Sequence, residues 1–161
     1  MSRNLLIAIL LSILPIFELR GGIPFALGTK CPVLLTFAAC TGANIVIIPL
    51  VFLFLDTVNK HLLKIAVYKK LFDALVDRAR KKAHAGIEKY GYVGLALFVA
   101  VPLPLTGAYS GCLAAWFFDM ERKRATLAIA VGVLIAGIAV TLVVVSGIEA
   151  LQHIFTKQVQ V

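Results

Sequence analysis

Two short stretches hold most of the residues whose types and spacing could do chemistry in this chain. The first is Phe17-Glu18-Leu19-Arg20-Gly21-Gly22-Ile23-Pro24. Glu18 can carry a proton, and Arg20 can contact an anion. Burial and a neighbouring guanidinium push a carboxyl's ionisation in opposite directions, and the sequence leaves that balance open. Gly21 and Gly22 allow strained backbone, and Pro24 suits the first turn of a new helix. Free amides at such a helix start form an anion site. Simpler readings stand beside these: an internal Glu18–Arg20 pair, Arg20 holding the carbonyl ends of a helix, or a turn with no ligand.

The second stretch is Pro102-Leu103-Pro104-Leu105-Thr106-Gly107-Ala108-Tyr109-Ser110-Gly111. Pro102 and Pro104 remove backbone donors and stop a continuous helix. Thr106 is placed to cap a helix that begins at Gly107. Thr106, Tyr109 and Ser110 put three hydroxyls around the break. They either hold a substrate or satisfy the freed backbone groups. Gly107 and Gly111 form a small-xxx-small pair that lets helices approach closely.

The elements that position these stretches are apolar. The chain has 161 residues, of which 61% are hydrophobic and only 15% charged, and its mean hydropathy is +0.98. A soluble domain carries about a quarter charged residues. Charge-free runs span Asn4–Phe17, Cys31–Leu55, Gly91–Phe118 and Ala125–Ile148. A helix crossing a bilayer needs about 20 apolar residues. An integral membrane protein follows from this pattern alone. Glu18 and Arg20 are then the only charges at depth, and an ionisable residue there marks a functional site by default.

Charge placement gives a topology. Of 16 basic residues, nine lie between Asp56 and Tyr90, and Arg122, Lys123 and Arg124 add three more. Cytoplasmic loops are enriched in Lys and Arg, so loops 56–90 and 119–124 are expected in the cytoplasm. The same clustering argues against nucleic acid as partner and for attraction to anionic membrane lipids. Both ends of 91–118 then lie on one side. Its halves, 91–101 and 107–118, are each about 16–18 Å long as helix and reach roughly the bilayer midplane. The segment is predicted to be a re-entrant hairpin.

Residues 4–28 are expected to re-enter from the other side, although 4–17 could instead begin an ordinary span. Spans are predicted at 31–55 and 125–148, with a tail at 149–161. The predicted fold is thus a single all-α membrane domain. It is an inverted repeat of a broken, re-entrant hairpin plus a transmembrane helix, joined by a basic amphipathic cytoplasmic helix. Inverted repeats of this kind bind substrate where broken helices meet.

In the linker, Val58, Leu62, Ile65, Phe72, Leu75 and Ala79 recur at helical spacing, with most lysines and arginines elsewhere. Arg3, Leu5–Phe17 and Ala26-Leu27-Gly28 mimic a secretory signal. Glu18 and Arg20 fall where a neutral stretch is needed, so the segment is read as mature structure. Cys31, Cys40 and Cys112 form no CxxC motif and are expected to be buried thiols. His61, His84 and His153 suit no metal site. No cofactor motif, phosphate loop, catalytic triad or paired carboxylates at depth occurs, and the chain is not expected to be an enzyme. Asn44 is expected to bond between helices.

The two motifs together resemble the small multi-drug export protein family of prokaryotic membrane proteins, over nearly the whole chain. The resemblance implies export and a prokaryotic inner membrane. The pattern is also distantly similar to the DedA/VTT superfamily, whose members have two opposed re-entrant hairpins and are linked to lipid translocation and the proton-motive force. That resemblance implies a role for Glu18 as the acidic residue of the first hairpin. Those proteins carry arginines in the second hairpin, where this chain has Leu103, Leu105 and Thr106.

Three functions follow as expectations. The first is a flippase for an amphiphilic, anionic, lipid-like substrate of the polyprenyl-phosphate or phospholipid class, coupled to protons through Glu18. The second is a proton-coupled small multidrug exporter, and the third is a membrane scaffold. Two spans and two hairpins enclose little, which points to a homodimer.

Overall fold

The computed structural model describes residues 2–57, 66–101 and 106–159. Pro102 and Pro104 lie outside them, as do Val58, Leu62, Ile65 and His61. The described residues are all helical, with no strand among them. The helices are α1 (Ser2–Ile13), α2 (Glu18–Gly28), α3 (Val33–Asp56), α4 (Ala66–Ala100), α5 (Ala108–Phe117) and α6 (Arg122–Val159).

Among the described residues, two stretches are long and apolar enough to cross a membrane, Val33–Asp56 and Arg122–Ile148. Their outer faces stay uncovered, with Leu34 79% and Val143 73% exposed. Apolar surface of this extent belongs in contact with lipid rather than water. At one end the Arg122 guanidinium binds the Asp56 carboxylate through two bonds of 2.7 and 3.2 Å. It also lies 4.9 Å from the Phe52 ring centre. Further along, Gly137 of α6 faces Phe37 and Thr41 of α3. The two helices therefore run antiparallel and in contact.

α1 and α2 fold back on each other, each 11 or 12 residues long. Gly22 packs so closely on Ala8 and Ser12 that a Cβ there would meet the Ala8 carbonyl and the Ser12 hydroxyl. α4 breaks at Gly91, whose φ of 55° and ψ of −124° are not helical. This separates an arm, 66–90, from a short limb, 92–100. The arm buries Phe72, Val76 and Ile87, and Phe72 meets Trp116 edge to face at 5.9 Å. The limb pairs with α5, where Gly111 lies against Val99 of α4 and Ile129 of α6. These short helices are about 14–18 Å long, roughly half a bilayer core.

The first break is not where the sequence placed it. Gly21, Gly22 and Pro24 were expected to form the interruption, but they lie inside α2. The turn occupies residues 14–17, and Pro15 falls within it. Proline disfavours helix in the residue before it, which accounts for α1 ending at Ile13. The glycines serve close packing instead, since Gly21 faces the Phe17 side chain and Gly22 faces α1.

Candidate functional site

The turn at 14–17 and the break before α5 come together inside the helix cluster. Glu18 opens α2 with a φ of 49°, a left-handed conformation that a non-glycine residue adopts at a cost of about 1–3 kcal/mol. Such strain persists only where surroundings enforce it. Here the Glu18 carboxylate, in a residue only 7% exposed, is enclosed by the start of α5. The Tyr109 amide donates to its Oε1 at 3.4 Å, and the Ala108 amide lies beside it. Gly107, at φ 151° and ψ −163°, leaves the space that the carboxylate fills, because a Cβ on Gly107 would overlap it.

Thr106 was expected to cap α5. Instead Gly107 is the capping position, with no side-chain cap bond of its own. Glu18, 91 positions earlier, bonds the α5 start from the other hairpin. A carboxylate there offsets the partial positive charge and orphan amides of a helix N-terminus. The Thr106 hydroxyl donates to the Val101 carbonyl at 2.6 Å, which spans the break between α4 and α5.

Arg20 reciprocates. Its Nη2 donates to the Thr106 carbonyl and, at 3.0 Å, to the Thr106 hydroxyl. Arg20 is thus engaged with a carbonyl freed by the break. The Tyr109 hydroxyl donates to the Ile13 carbonyl, and the Ser110 hydroxyl to the Gly107 carbonyl at 3.3 Å. These hydroxyls satisfy backbone groups that the breaks leave open. Three contacts thus tie the tips together in both directions: Glu18 to α5, Arg20 to Thr106, and Tyr109 to the end of α1.

Of the residues expected at the site, Glu18, Arg20, Thr106, Gly107, Tyr109 and Ser110 gather at this junction. Gly21 and Gly22 lie in the helix that carries it. Pro24 lies further along α2. The sequence did not point to Ser12 and Ile13, which supply the α1 side. Their signal was Pro15, which marks the end of α1.

The family model described as "Putative small multi-drug export protein" matches residues 18–139. The match begins at Glu18, just after the first turn, and includes the start of α5 and most of the membrane-length part of α6. It covers 122 of the 161 residues. The chain belongs to this family. The family's description is of a small export protein, and with the two membrane-length helices it makes the chain a membrane protein. Neither the curated proteins nor the solved structures contain a match to the chain. Cys31, Cys40 and Cys112 are buried and unpaired. Among the described residues no group of His, Cys, Asp or Glu is arranged to hold a metal.

Proposed function

We propose that this small export-family protein is a proton-coupled transporter of an amphiphilic, anionic, lipid-like substrate, and that the junction of the tips is its site. The observation that carries this is the Glu18 carboxylate seated on the α5 N-terminus. That position is an anion site, and the protein fills it with its own acid. Protonating Glu18 removes the charge that holds it there. The Tyr109 amide is then free, and a substrate head group can replace the carboxylate. Arg20 moves from Thr106 to the same head group, since a guanidinium prefers an anionic oxygen to a neutral carbonyl. Release of substrate lets Glu18 ionise and close the junction again.

In this reading α1–α2 and the 92–118 segment are re-entrant hairpins of opposite orientation, the halves of an inverted repeat like that of DedA/VTT proteins. Loops 56–90 and 119–124 face the cytoplasm of a prokaryotic cell, and the chain is a multi-pass inner-membrane protein. Limbs about half a bilayer core in length support this, as does the meeting of their tips.

The experiment is transport in reconstituted vesicles. Glu18→Gln and Arg20→Ala are expected to abolish proton-driven movement of an anionic lipid-like probe while the protein still inserts. Normal transport by both variants removes the mechanism.

The family description, of multi-drug export, supports a second reading, in which the drugs are cationic and Glu18 is the binding and proton site. It predicts that the chain raises tolerance to cationic drugs in a pump-deficient strain and that Glu18→Gln loses this. Unchanged tolerance counts against drug export.

A further inference from the structure

A second polar feature lies apart from the tips, on the inner face of α3. Thr36, Cys40, Thr41 and Asn44 recur at helical spacing and are all at most 2% exposed. They cover about 12 Å of helix. Thr36 sits in the first turn of α3, at the end opposite the Arg122–Asp56 pair. From α6, Thr141 joins them one turn beyond Gly137. Gly137 lies directly against the Thr41 hydroxyl, and a Cβ there would approach it to 2.7 Å.

Four oxygens in this seam are buried with no hydrogen-bond partner among the described residues: Thr36 Oγ1, Thr41 Oγ1, Asn44 Oδ1 and Thr141 Oγ1. A threonine hydroxyl in a helix ordinarily bonds the carbonyl four residues back. Here three do not. Buried polar groups are almost always paired, with protein or with ordered water. Thr41 meets α6 at Gly137, while Asn44 and Cys40 meet Ser12 of α1, so the orphans on α3 line its inner side, and together they call for water.

Polar contacts continue from the inner end of the seam to the tips. The Asn44 amide donates to the Ser12 carbonyl at 2.9 Å and to the Cys40 carbonyl at 3.3 Å. Ser12 adjoins Ile13, whose carbonyl accepts the Tyr109 hydroxyl. The Tyr109 amide in turn bonds Glu18.

We infer that a file of water molecules enters along the inner side of α3 from the end near Lys30 and leads past Thr36, Thr141, Thr41 and Asn44 to Glu18. It carries protons to Glu18 from the face opposite the basic loops. The groups facing Glu18 are Arg20 on its own helix and Tyr109 and Cys112 on α5. Hydration of the seam stands by itself, and its role in proton delivery rests on the proton-coupled reading above.

Cys40 is a native reporter, since its thiol lies in the seam beside Ser12. The unmodified chain is reconstituted in one orientation and exposed to silver ion from one face at a time. Free thiols are then alkylated in denaturant and mapped by peptide mass spectrometry. The inference expects Cys40 to be protected much faster from the Lys30 face than from the basic face. Thr36→Val and Thr41→Val, which keep shape and remove a hydroxyl, are expected to slow that protection. Thr41→Ser is expected to restore it, which separates loss of water from misfolding. Equal rates from both faces, or valine variants that react like the parent, overturn the seam whatever Glu18→Gln does to transport. Sided access together with normal transport by Glu18→Gln supports the water file and overturns proton coupling instead.

Discussion

The contact between Gly107 and Glu18 can be tested as an energy. Gly107→Ala meets two separate obstacles. Its backbone, at φ 151° and ψ −163°, lies in a region almost confined to glycine, at a cost of about 1–3 kcal/mol for other residues. Its new methyl also overlaps the Glu18 carboxylate. The carboxylate must leave, and a hydrogen bond to a charged group is worth about 1.5–3 kcal/mol. Together these give about 3–6 kcal/mol of destabilisation.

Glu18→Ala alone leaves the α5 amides uncapped, at about 0.5–2 kcal/mol. In the double variant the backbone strain remains, but no carboxylate is left to displace. The double variant should therefore be more stable than the sum of the single changes predicts, by about 1.5–3 kcal/mol. Trp116, the single tryptophan, lies in α5 and reports the transition by fluorescence during unfolding of the reconstituted protein in mixed micelles. Additivity of the two changes within about 0.5 kcal/mol refutes the contact.

Three further outcomes can be measured in the same assay. Asp56→Asn breaks the Arg122 pair, whose side chains are 36% and 42% exposed. It should cost at most about 1 kcal/mol, and the difference should shrink at high salt. Gly132→Ala places a Cβ 2.6 Å from the Ala96 carbonyl and 2.7 Å from Val99. It should force α4 and α6 apart, at about 1–3 kcal/mol. Gly147→Ala, with nothing within 4 Å of the new methyl, should be neutral or stabilising by up to about 1 kcal/mol.

What was legible in the sequence follows from how far each signal reaches along the chain. Uninterrupted apolar runs marked the two membrane-length helices, because a span is a local property of composition. The break near Gly107 was legible because Pro102 and Pro104 flank one side of it. The first break was misplaced because Gly21 and Gly22 resemble a turn, whereas Pro15, a single residue, marks the actual stop. A glycine needed for close approach and one needed for a bend look alike until the neighbour is known. The cap on α5 was beyond local inference, since the nearby candidate, Thr106, bonds Val101 and Arg20 instead. The orphan hydroxyls of Thr36, Thr41 and Thr141 carry no sequence signal, because threonine is ordinary in membrane helices and only burial shows a missing partner.

The contacts between the tips also constrain how this protein is made. Arg20 and Thr106 are 86 positions apart, and Glu18 and Tyr109 are 91 apart. At about 5–20 residues per second, a ribosome needs about 5–18 s to supply the second member of each pair. Until then Glu18 and Arg20 have neither α5 nor Thr106 to engage. In the re-entrant reading proposed above these charges lie at bilayer depth, where an ionisable residue costs several kcal/mol, so the first hairpin is poorly suited to settle on its own. It must wait at the membrane surface, or be held by the insertion machinery, until the second hairpin emerges. Assembly of the site then waits for the second hairpin, and a chain truncated before Thr106 should be a substrate for membrane quality-control proteolysis.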